Sequence, residues 1–300
     1  MTIDSKNSLL FNHNSVMISE IVNSINNCPK KLSKDFSGID ATLGGGGHSF
    51  ALLKNFSNLK IIGLDQDPYA IEFASNKLNI FDKRIEIFAT NFSDFKPKEK
   101  VSFIIADLGF NSNQIDNAER GFSIQKDGPL DMRMNPNQTT KAQDILNNFS
   151  EKDLANLIYE YGDERFSRRI ARKIKNDLKN KGEYSGTREL AYAIAGCFPP
   201  KQRYKKIHPA TRTFQALRIA VNNEIEVLEK FLNISPTWLL PGGIISIISF
   251  HSIEDRKVKN HFKDDERLTN LTKKPITPLE EEVQKNKRSR SAKLRIAKLR

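Results

Sequence analysis

Short apolar runs alternate with helical patterns over the first hundred residues, and this alternation limits the fold more than any other feature of the chain. The runs are rich in Ile, Val and Phe and cover residues 60–65, 84–89 and 101–107. Another run, Gly243–Phe250, follows the turn at Pro241-Gly242. Strands that alternate with helices are typical of βαβ units in a parallel sheet. The sequence therefore predicts an α/β fold.

Residues 115–209 have a different character, because helical signals dominate and strand signals are almost absent. Ser150 and Asp153, for example, fit a capping box at a helix start. The block lies between two strands of the predicted sheet, which indicates an inserted helical subdomain. We therefore expect one domain from residues 1–114 and 210–300, and a second from residues 115–209. After the insert, the apolar stripe of residues 211–232 predicts one long amphipathic helix.

The charge of the chain favours a polyanionic partner. Lys and Arg number 48 against 36 Asp and Glu, so the formal net charge is +12. Residues 285–300 hold eight basic residues and no acid, and a solvated tail is the simpler alternative. The other basic clusters are Arg165, Arg168, Arg169, Arg172 and Lys173 on one predicted helix, and residues 201–206, where Tyr204 lies among the cations.

Several classes of protein are disfavoured by what the sequence lacks. Cys28 and Cys197 lie far apart, which argues against a disulfide framework or a Cys-rich metal site. Residues 1–14 are mostly polar, and no run of 18 apolar residues occurs. No His, Asp and Glu cluster has metal-ligand spacing. We expect a cytoplasmic protein that neither spans a membrane nor binds a metal ion.

A glycine run, Gly44–Gly47, follows a short strand candidate ending at Asp40 and precedes a helical pattern. Glycines let the backbone approach a nucleotide-like ligand, and free amides at a helix start hold an anionic group. Asp65 follows Gly45 by twenty residues, where a carboxylate would accept both hydroxyls of a ribose. These features do not choose between NAD and S-adenosylmethionine, and a tight turn would also explain the glycines.

The strand ending at Asp107 leads into a polar segment that reaches Gln114, at the sheet edge where open α/β folds bind ligands. Methyl transfer to a base amine uses such groups, because acceptors of its N–H bonds localise the nitrogen lone pair for attack. Asp107 and Phe110 occupy the first and fourth positions of the Asp-Pro-Pro-aromatic loops of amino-directed methyltransferases, although both prolines are absent. An Asp that caps a turn and a Phe in the core are the alternatives.

Seven runs between residues 13 and 300 together resemble the bacterial ribosomal RNA small subunit methyltransferase H family. They are DATLGGGGHS, GLDQDPYAI, ADLGFNSNQIDNAERGFSIQKDGPLDMRMNP, YGDERFSRRIARKI, HPATRTFQALRIAVNNE, GGIISIISFHSIEDRKVK and RSRSAKLR. The resemblance implies an S-adenosylmethionine-dependent enzyme that methylates N4 of a cytidine in the decoding region of 16S rRNA, on the small ribosomal subunit in the cytoplasm. It also implies a Rossmann-like class I methyltransferase sheet with a helical substrate-recognition insert.

The resemblance also assigns roles to individual residues. The implied cofactor-binding residues are Gly46, Gly47, His48, Asp65, Phe92, Asp107 and Gln114. Phe92 would stack on the adenine, and Asp107 and Asn111 are the candidate catalytic residues. Phe110, Asn111 and Asn113 depart from the usual Asp-Leu-Gly-Val-Ser-Ser-Pro-Gln, which puts the contacts of the target base in question.

Two other functions remain open at this level. A nucleotide-dependent oxidoreductase would explain the glycine run and Asp65 but would give the basic residues no role. A non-enzymatic ribosome-binding protein would explain the charge but not the cofactor residues. The oligomeric state cannot be predicted from the sequence.

Overall fold

The computed structural model describes residues 15–26, 28, 29, 31, 33–110, 112–203 and 207–300, which divide into two compact units. The first unit contains the described residues up to Ser112 together with Leu228–Arg300, and the second contains Asn113–Val227. The described part of residues 115–209 lies in the second unit, which also includes residues 210–227. Within these residues, no helix is both long and apolar enough to cross a membrane.

The described residues of the first unit form a seven-stranded sheet in the order β3-β2-β1-β4-β5-β7-β6. Its strands are β1 (Ser37–Asp40), β2 (Lys60–Asp65), β3 (Ile85–Ala89), β4 (Val101–Asp107), β5 (Leu239–Ser249), β6 (Leu268–Asn270) and β7 (Lys293–Leu299). Strands β1–β5 are parallel, whereas β7 runs antiparallel to both β5 and β6. The order β3-β2-β1-β4-β5 is that of a doubly wound sheet, so the predicted Rossmann-like α/β fold is confirmed.

Helices cover both faces of this sheet and build the second unit. The helices of the described chain are α1 (Ile18–Ser24), α2 (Gly47–Asn55), α3 (Pro68–Leu78), α4 (Ser112–Asp116), α5 (Ala142–Asn148), α6 (Glu151–Gly162), α7 (Ser167–Lys181), α8 (Thr187–Gly196), α9 (Pro200–Arg203), α10 (Thr211–Val221), α11 (Glu224–Ile234), α12 (Ser252–Asp264) and α13 (Glu280–Lys285). In β4, Phe103 and Ile105 belong to the core that contains α1 and α2, while Ile104 belongs to the core with α11 and α12. Burial on both faces explains the near-continuous apolar runs of the parallel strands.

The basic C-terminal stretch is only partly a surface segment, so the alternative of a solvated tail is wrong for residues 293–299. These residues form β7, which pairs with β5 along its length. Leu294 is fully buried, and Arg295 is only 4% exposed because its guanidinium Nε donates to Asp255 Oδ1 at 2.7 Å. Successive side chains of a β-strand point to opposite faces, so the alternation of apolar residues with cations in β7 fits a strand with a covered apolar face.

The predicted long helix of residues 211–232 is instead two helices, α10 and α11, separated at Asn222 and Asn223. Asn223 has a φ of 49°, a left-handed conformation that Asn tolerates better than most residues. The Asn222 side chain donates to the Met132 carbonyl at 2.8 Å and accepts from the Met134 amide at 2.7 Å. Helix α10 therefore ends where the Asn222 side chain makes hydrogen bonds with the backbone of the loop around Met132 and Met134.

The second unit has a core of its own, centred on α6, α7 and α10. Leu154, Ile158, Ile170, Ile174 and Leu217 are fully buried in it. The Ser150 side chain accepts from the Asp153 amide at 3.1 Å, which confirms the Ser150 half of the predicted capping box at the start of α6, while Asp153 Oδ2 accepts from the Ser150 hydroxyl.

Candidate active site

Three neighbouring strands of the first unit end in aspartates. Asp40 ends β1, Asp65 ends β2 and Asp107 ends β4. Because β2, β1 and β4 are adjacent and parallel, all three carboxylates lie at one edge of the sheet. This is the edge at which open α/β sheets bind ligands.

The glycine loop after β1 approaches this edge with bare backbone. Gly44 and Gly46 have φ values of 50° and 70°, which favour glycine. A Cβ on Gly46 would lie 2.9 Å from Leu78 Cδ1, and one on Gly47 only 1.9 Å from Ser15 Oγ. Side chains are thus excluded from the loop on both conformational and steric grounds.

Asp65 is tied to the glycine loop. Its Oδ2 accepts from the Gly44 amide at 2.7 Å, and its Oδ1 accepts from the Asp67 amide at 2.8 Å. Burial raises the pKa of the Asp65 carboxyl to about 6, against the lowering effect of these backbone donors. Each oxygen keeps a further lone pair, so the carboxylate can still accept hydrogen bonds from two vicinal hydroxyls.

Asp107 differs from Asp40 and Asp65 in its hydrogen bonding. Its backbone amide donates to Thr42 Oγ1 at 2.6 Å, and its Oδ2 lies 3.9 Å from His48 Nδ1. Its Oδ1 is buried and has no hydrogen-bond partner within the described residues. Burial is the main cause that raises the pKa of Asp107 to about 7, and the His48 ring opposes this. A buried acceptor without a donor fits a ligand that brings N–H groups.

His48 and Asp40 both make buried hydrogen bonds near the glycine loop. His48 Nε2 lies 2.8 Å from the Val16 carbonyl, which only accepts, so Nε2 donates and Nδ1 faces Asp107. The Asp40 carboxylate accepts from Ser49 Oγ at 2.7 Å, and its burial raises the pKa. Ser49 occupies the place of the third glycine in a dinucleotide fingerprint, and the structure explains it as a donor to Asp40.

Phe92 lies beyond the end of β3 and is half-buried. Its ring packs edge-to-face against Phe231, with 4.8 Å between the centroids. The neighbouring Asn91 side chain donates to Gln66 Oε1 at 3.3 Å, so this segment lies beside the residue that follows Asp65.

The other residues that the sequence predicts for the site are Gln114, Asn111, Phe110 and Asn113. Gln114 is buried and belongs to the second unit. Asn111 lies outside the described residues, as do Tyr204, Lys205 and Lys206. Phe110 is half-buried, and the side chain of Asn113 is outside the described part of the chain.

Sequence reasoning missed Thr42, Ser15 and Val16, which contact Asp107, Gly47 and His48 respectively. The sequence could have indicated Thr42, because it lies between the strand end at Asp40 and the glycines. Ser15 and Val16 are separated from the loop by about thirty positions and carry no pattern of their own.

The residues at this edge suit a ligand that combines a nucleoside with a small charged group. The glycine backbone and the region of His48 suit a small zwitterionic group, Asp65 suits a ribose, and Asp107 supplies a buried acceptor for N–H donors. A Rossmann-like sheet with these residues at its carboxyl edge defines an enzyme that binds a nucleoside-containing cofactor.

Comparison with known proteins gives the family. A model of the MraW methylase family matches residues 10–300. A ribosomal RNA small subunit methyltransferase H from Prochlorococcus marinus (strain MIT 9312) is 69% identical over 299 residues, covering 100% of each chain. The protein of the same name from strain NATL2A is 58% identical over 287 residues, covering 96% of this chain and 94% of that protein. The chain belongs to the MraW methylase family.

A solved structure of a putative rRNA-methylase from Clostridium thermocellum is 12% identical, covers 96% of this chain and 100% of that one, and has a TM-score of 0.44. The family assignment depends on the sequence relatives, which confirm the resemblance found in the motifs and the expectation of a methyltransferase. They do not favour an oxidoreductase or a non-enzymatic ribosome-binding protein.

Proposed function

We propose that this protein transfers a methyl group from S-adenosylmethionine to N4 of a cytidine in the decoding region of 16S rRNA, within the small ribosomal subunit in the cytoplasm. The observation that carries the proposal is the buried Oδ1 of Asp107 near the glycine loop, which has no hydrogen-bond partner among the residues that the structure describes. The name of the full-length relatives supports the RNA substrate.

The residues present suit the parts of the cofactor. The amides of Gly46 and Gly47, with His48, would hold the methionine end, and Asp65 would accept the ribose hydroxyls. Phe92 would stack on the adenine, and Asp107 would hold the polar end near the reacting atoms. Gln114 stays a cofactor-binding candidate through its position in the family motif. When bound, S-adenosylmethionine supplies an electrophilic methyl group on a sulfonium.

Asp107 has a further role toward the base. An exocyclic amine is a poor nucleophile because its lone pair is delocalised into the ring. As a carboxylate, Asp107 accepts an amine N–H bond and holds the lone pair toward the methyl group. Asn111, which lies outside the described residues, is the second catalytic candidate through its place in the family motif. Catalysis is then largely a matter of positioning two reactants about 3 to 3.5 Å apart.

The target base must leave its stack to reach this edge, which costs a few kcal/mol and is easiest in loops. The second unit has a surface suited to holding the surrounding RNA. Arg168, Arg169 and Arg172 are exposed on α7, and within the described residues only Arg172 has an acidic partner, Glu151 at 3.4 Å. Cations without internal partners are available to phosphates.

Labelled methyl transfer to small subunits that lack the modification, followed by nucleoside mass spectrometry, tests the proposal. We expect N4-methylcytidine at one decoding-region site, and loss of transfer in Asp107→Asn. The matched control is Asp264→Asn, which changes an exposed acid of the same unit. Binding of S-adenosylhomocysteine without transfer to the subunit would leave the cofactor site in place and refute the proposed acceptor.

A further inference from the structure

The segment just before α1, Ser15–Met17, lies against the glycine loop. The Ser15 hydroxyl occupies the space where a Cβ on Gly47 would lie. The Val16 carbonyl accepts from His48 Nε2 at 2.8 Å. Both contacts reach residues assigned above to the cofactor, so this segment forms part of the wall of the site.

Helix α13 holds this segment in place. The Met17 amide donates to Glu282 Oε1 at 2.8 Å, across 265 positions of sequence. Met17 has a φ of 57° and a ψ of 39°, a left-handed conformation that is disfavoured for a residue with a Cβ. Such a conformation persists only where the surrounding structure enforces it. The side chain of Met17 is fully buried, and Glu282 supplies the bond to its backbone.

Glu282 also acts on Asp107 through its charge. The charged groups that act on the pKa of Asp107 are, in decreasing order, His48 from α2, Asp40 from β1, Glu254 from α12 and Glu282 from α13. Burial is the largest cause of the raised pKa of Asp107, and the three acids add to it. Removal of the Glu282 charge therefore lowers the pKa of Asp107.

We propose that Glu282 is a positioning residue of the methyl-transfer site, which acts through Met17 and Val16 on His48 and Asp107. The contacts run from Glu282 to the Met17 amide, from the adjacent Val16 carbonyl to His48, and from His48 to Asp107. The inference rests on the proposed function for its chemistry, but the chain of contacts lies wholly within the first unit.

Glu281 provides a matched control. It lines the same cavity of about 310 Å³ between the start of α1 and α13 that Glu282 also lines. It is exposed, whereas Glu282 is half-buried, and it is not the residue that accepts from Met17. The two neighbours therefore differ in contact with the segment and not in formal charge.

Two substitutions separate the hydrogen bond from the charge. Glu282→Ala removes both, so we expect exchange of the Met17 amide with deuterium to accelerate about 10-fold or more and S-adenosylhomocysteine to bind about 10-fold more weakly. Glu282→Gln keeps an oxygen acceptor for Met17 and removes only the charge. We expect it to change affinity by less than about 3-fold. It should also move the rising limb of kcat/KM against pH toward lower pH, because Asp107 ionises earlier.

Hydrogen exchange, calorimetry and the pH profile are measured on the full chain, with Glu281→Ala and Glu281→Gln in parallel. An unchanged Met17 exchange rate in Glu282→Ala, or equal losses of affinity in Glu281→Ala, would overturn the proposal. If Glu282→Ala does not fold, the pH profile of Glu282→Gln decides the matter, since an unshifted limb contradicts it. Exchange and affinity need no RNA, so failure of the proposed acceptor stays distinguishable from failure of this inference.

Discussion

At the scale of single residues, Gly47 shows how closely the N-terminal segment packs on the loop. A Cβ there would overlap the Ser15 hydroxyl and touch the Ser15 Cβ at 3.0 Å, so either the hydroxyl must rotate away or one of the two segments must shift. We expect Gly47→Ala to weaken S-adenosylhomocysteine binding about 10-fold, because a misplacement of about 1 Å can cost about 100-fold in rate and the same loop amides position the ligand. Isothermal titration calorimetry measures the loss.

A second substitution that removes the overlap is the control for this prediction. Ser15→Gly removes the overlapping atoms, so the double variant with Gly47→Ala should regain most of the affinity. Gly196→Ala, where a Cβ meets nothing within 4 Å, should leave binding unchanged. A double variant as weak as Gly47→Ala would show that Ser15 is not the obstacle.

Asp107 links stability to pH. Its pKa is raised to about 7 in the folded protein, so between roughly pH 4 and 7 the folded state binds a proton that the unfolded chain releases. Stability from this group falls as pH rises through that window, and the penalty is complete above it. Asp107→Asn should therefore raise the free energy of unfolding of the ligand-free protein at pH 8 by about 1–3 kcal/mol.

Thermal melts at pH 5 and pH 8 measure this effect. The gain of Asp107→Asn should be smaller at pH 5, and stabilisation by S-adenosylhomocysteine should disappear. Asp264→Asn, at an exposed acid, should follow the unsubstituted protein at both values. An Asp107→Asn protein that is less stable at pH 8 would contradict the sign.

At the scale of secondary-structure elements, β7 depends on a buried ion pair. Arg295 Nε donates to Asp255 Oδ1 at 2.7 Å, and Lys293 reaches Asp255 Oδ2 at 3.2 Å. Removal of one partner of a buried pair costs about 3–5 kcal/mol, and the loss of Arg295 falls at the lower end of this range because Lys293 stays beside Asp255. We expect Arg295→Ala to lower the free energy of unfolding by this amount in urea denaturation.

Arg290 is the natural comparison, because it lies five positions earlier and is exposed. Arg290→Ala should leave the unfolding free energy within about 0.5 kcal/mol of the starting protein. Equal stabilities of the two variants would mean that the pair with Asp255 does not anchor β7.

The strands could be predicted from the sequence where both of their faces are buried. Runs such as Val101–Asp107 are buried on both faces and stay apolar, so β4 is evident in the sequence. Strand β7 was missed because its cations suggested a tail, although Leu294 and Ile296 alternate with them. The end of α10 was missed because the apolar stripe continues into α11, while the left-handed Asn223 leaves no trace in that stripe.

The candidate site could be predicted only where its contacts are local or follow the spacing of the βαβ unit. The bond between Gly44 and Asp65 joins residues whose separation the sequence already indicates. The bond from Met17 to Glu282 depends on tertiary packing and has no counterpart in any spacing. The same is true of the burial that perturbs Asp107.

At the scale of the whole molecule, some basic residues form ion pairs in the interior, while others are exposed on the surface. Arg295 and Lys293 neutralise Asp255, whereas Arg168, Arg169 and Arg172 lie exposed on α7. Triple replacement of these arginines by Ala should weaken RNA binding and reduce the slope of log affinity against log salt by about 2–3. Binding of S-adenosylhomocysteine should not change.

Filter binding over a range of salt concentrations measures this slope. A charge-matched control replaces three exposed lysines of the first unit, Lys96, Lys98 and Lys100. If both triple variants lower the slope equally, the effect reflects net charge and not a binding face on α7.

The position of β7 also bears on how the protein emerges during translation. In the sheet, β7 lies between β5 and β6, although it follows both in the chain. After residue 249 has been made, about fifty more residues must be added before β7 can cover β5, which takes about 3–10 s at 5–20 residues per second. During that interval the apolar strand β5 presents an open edge to any other nascent chain. The segment GIISIISF therefore stays open to such pairing until the chain's own last strand arrives.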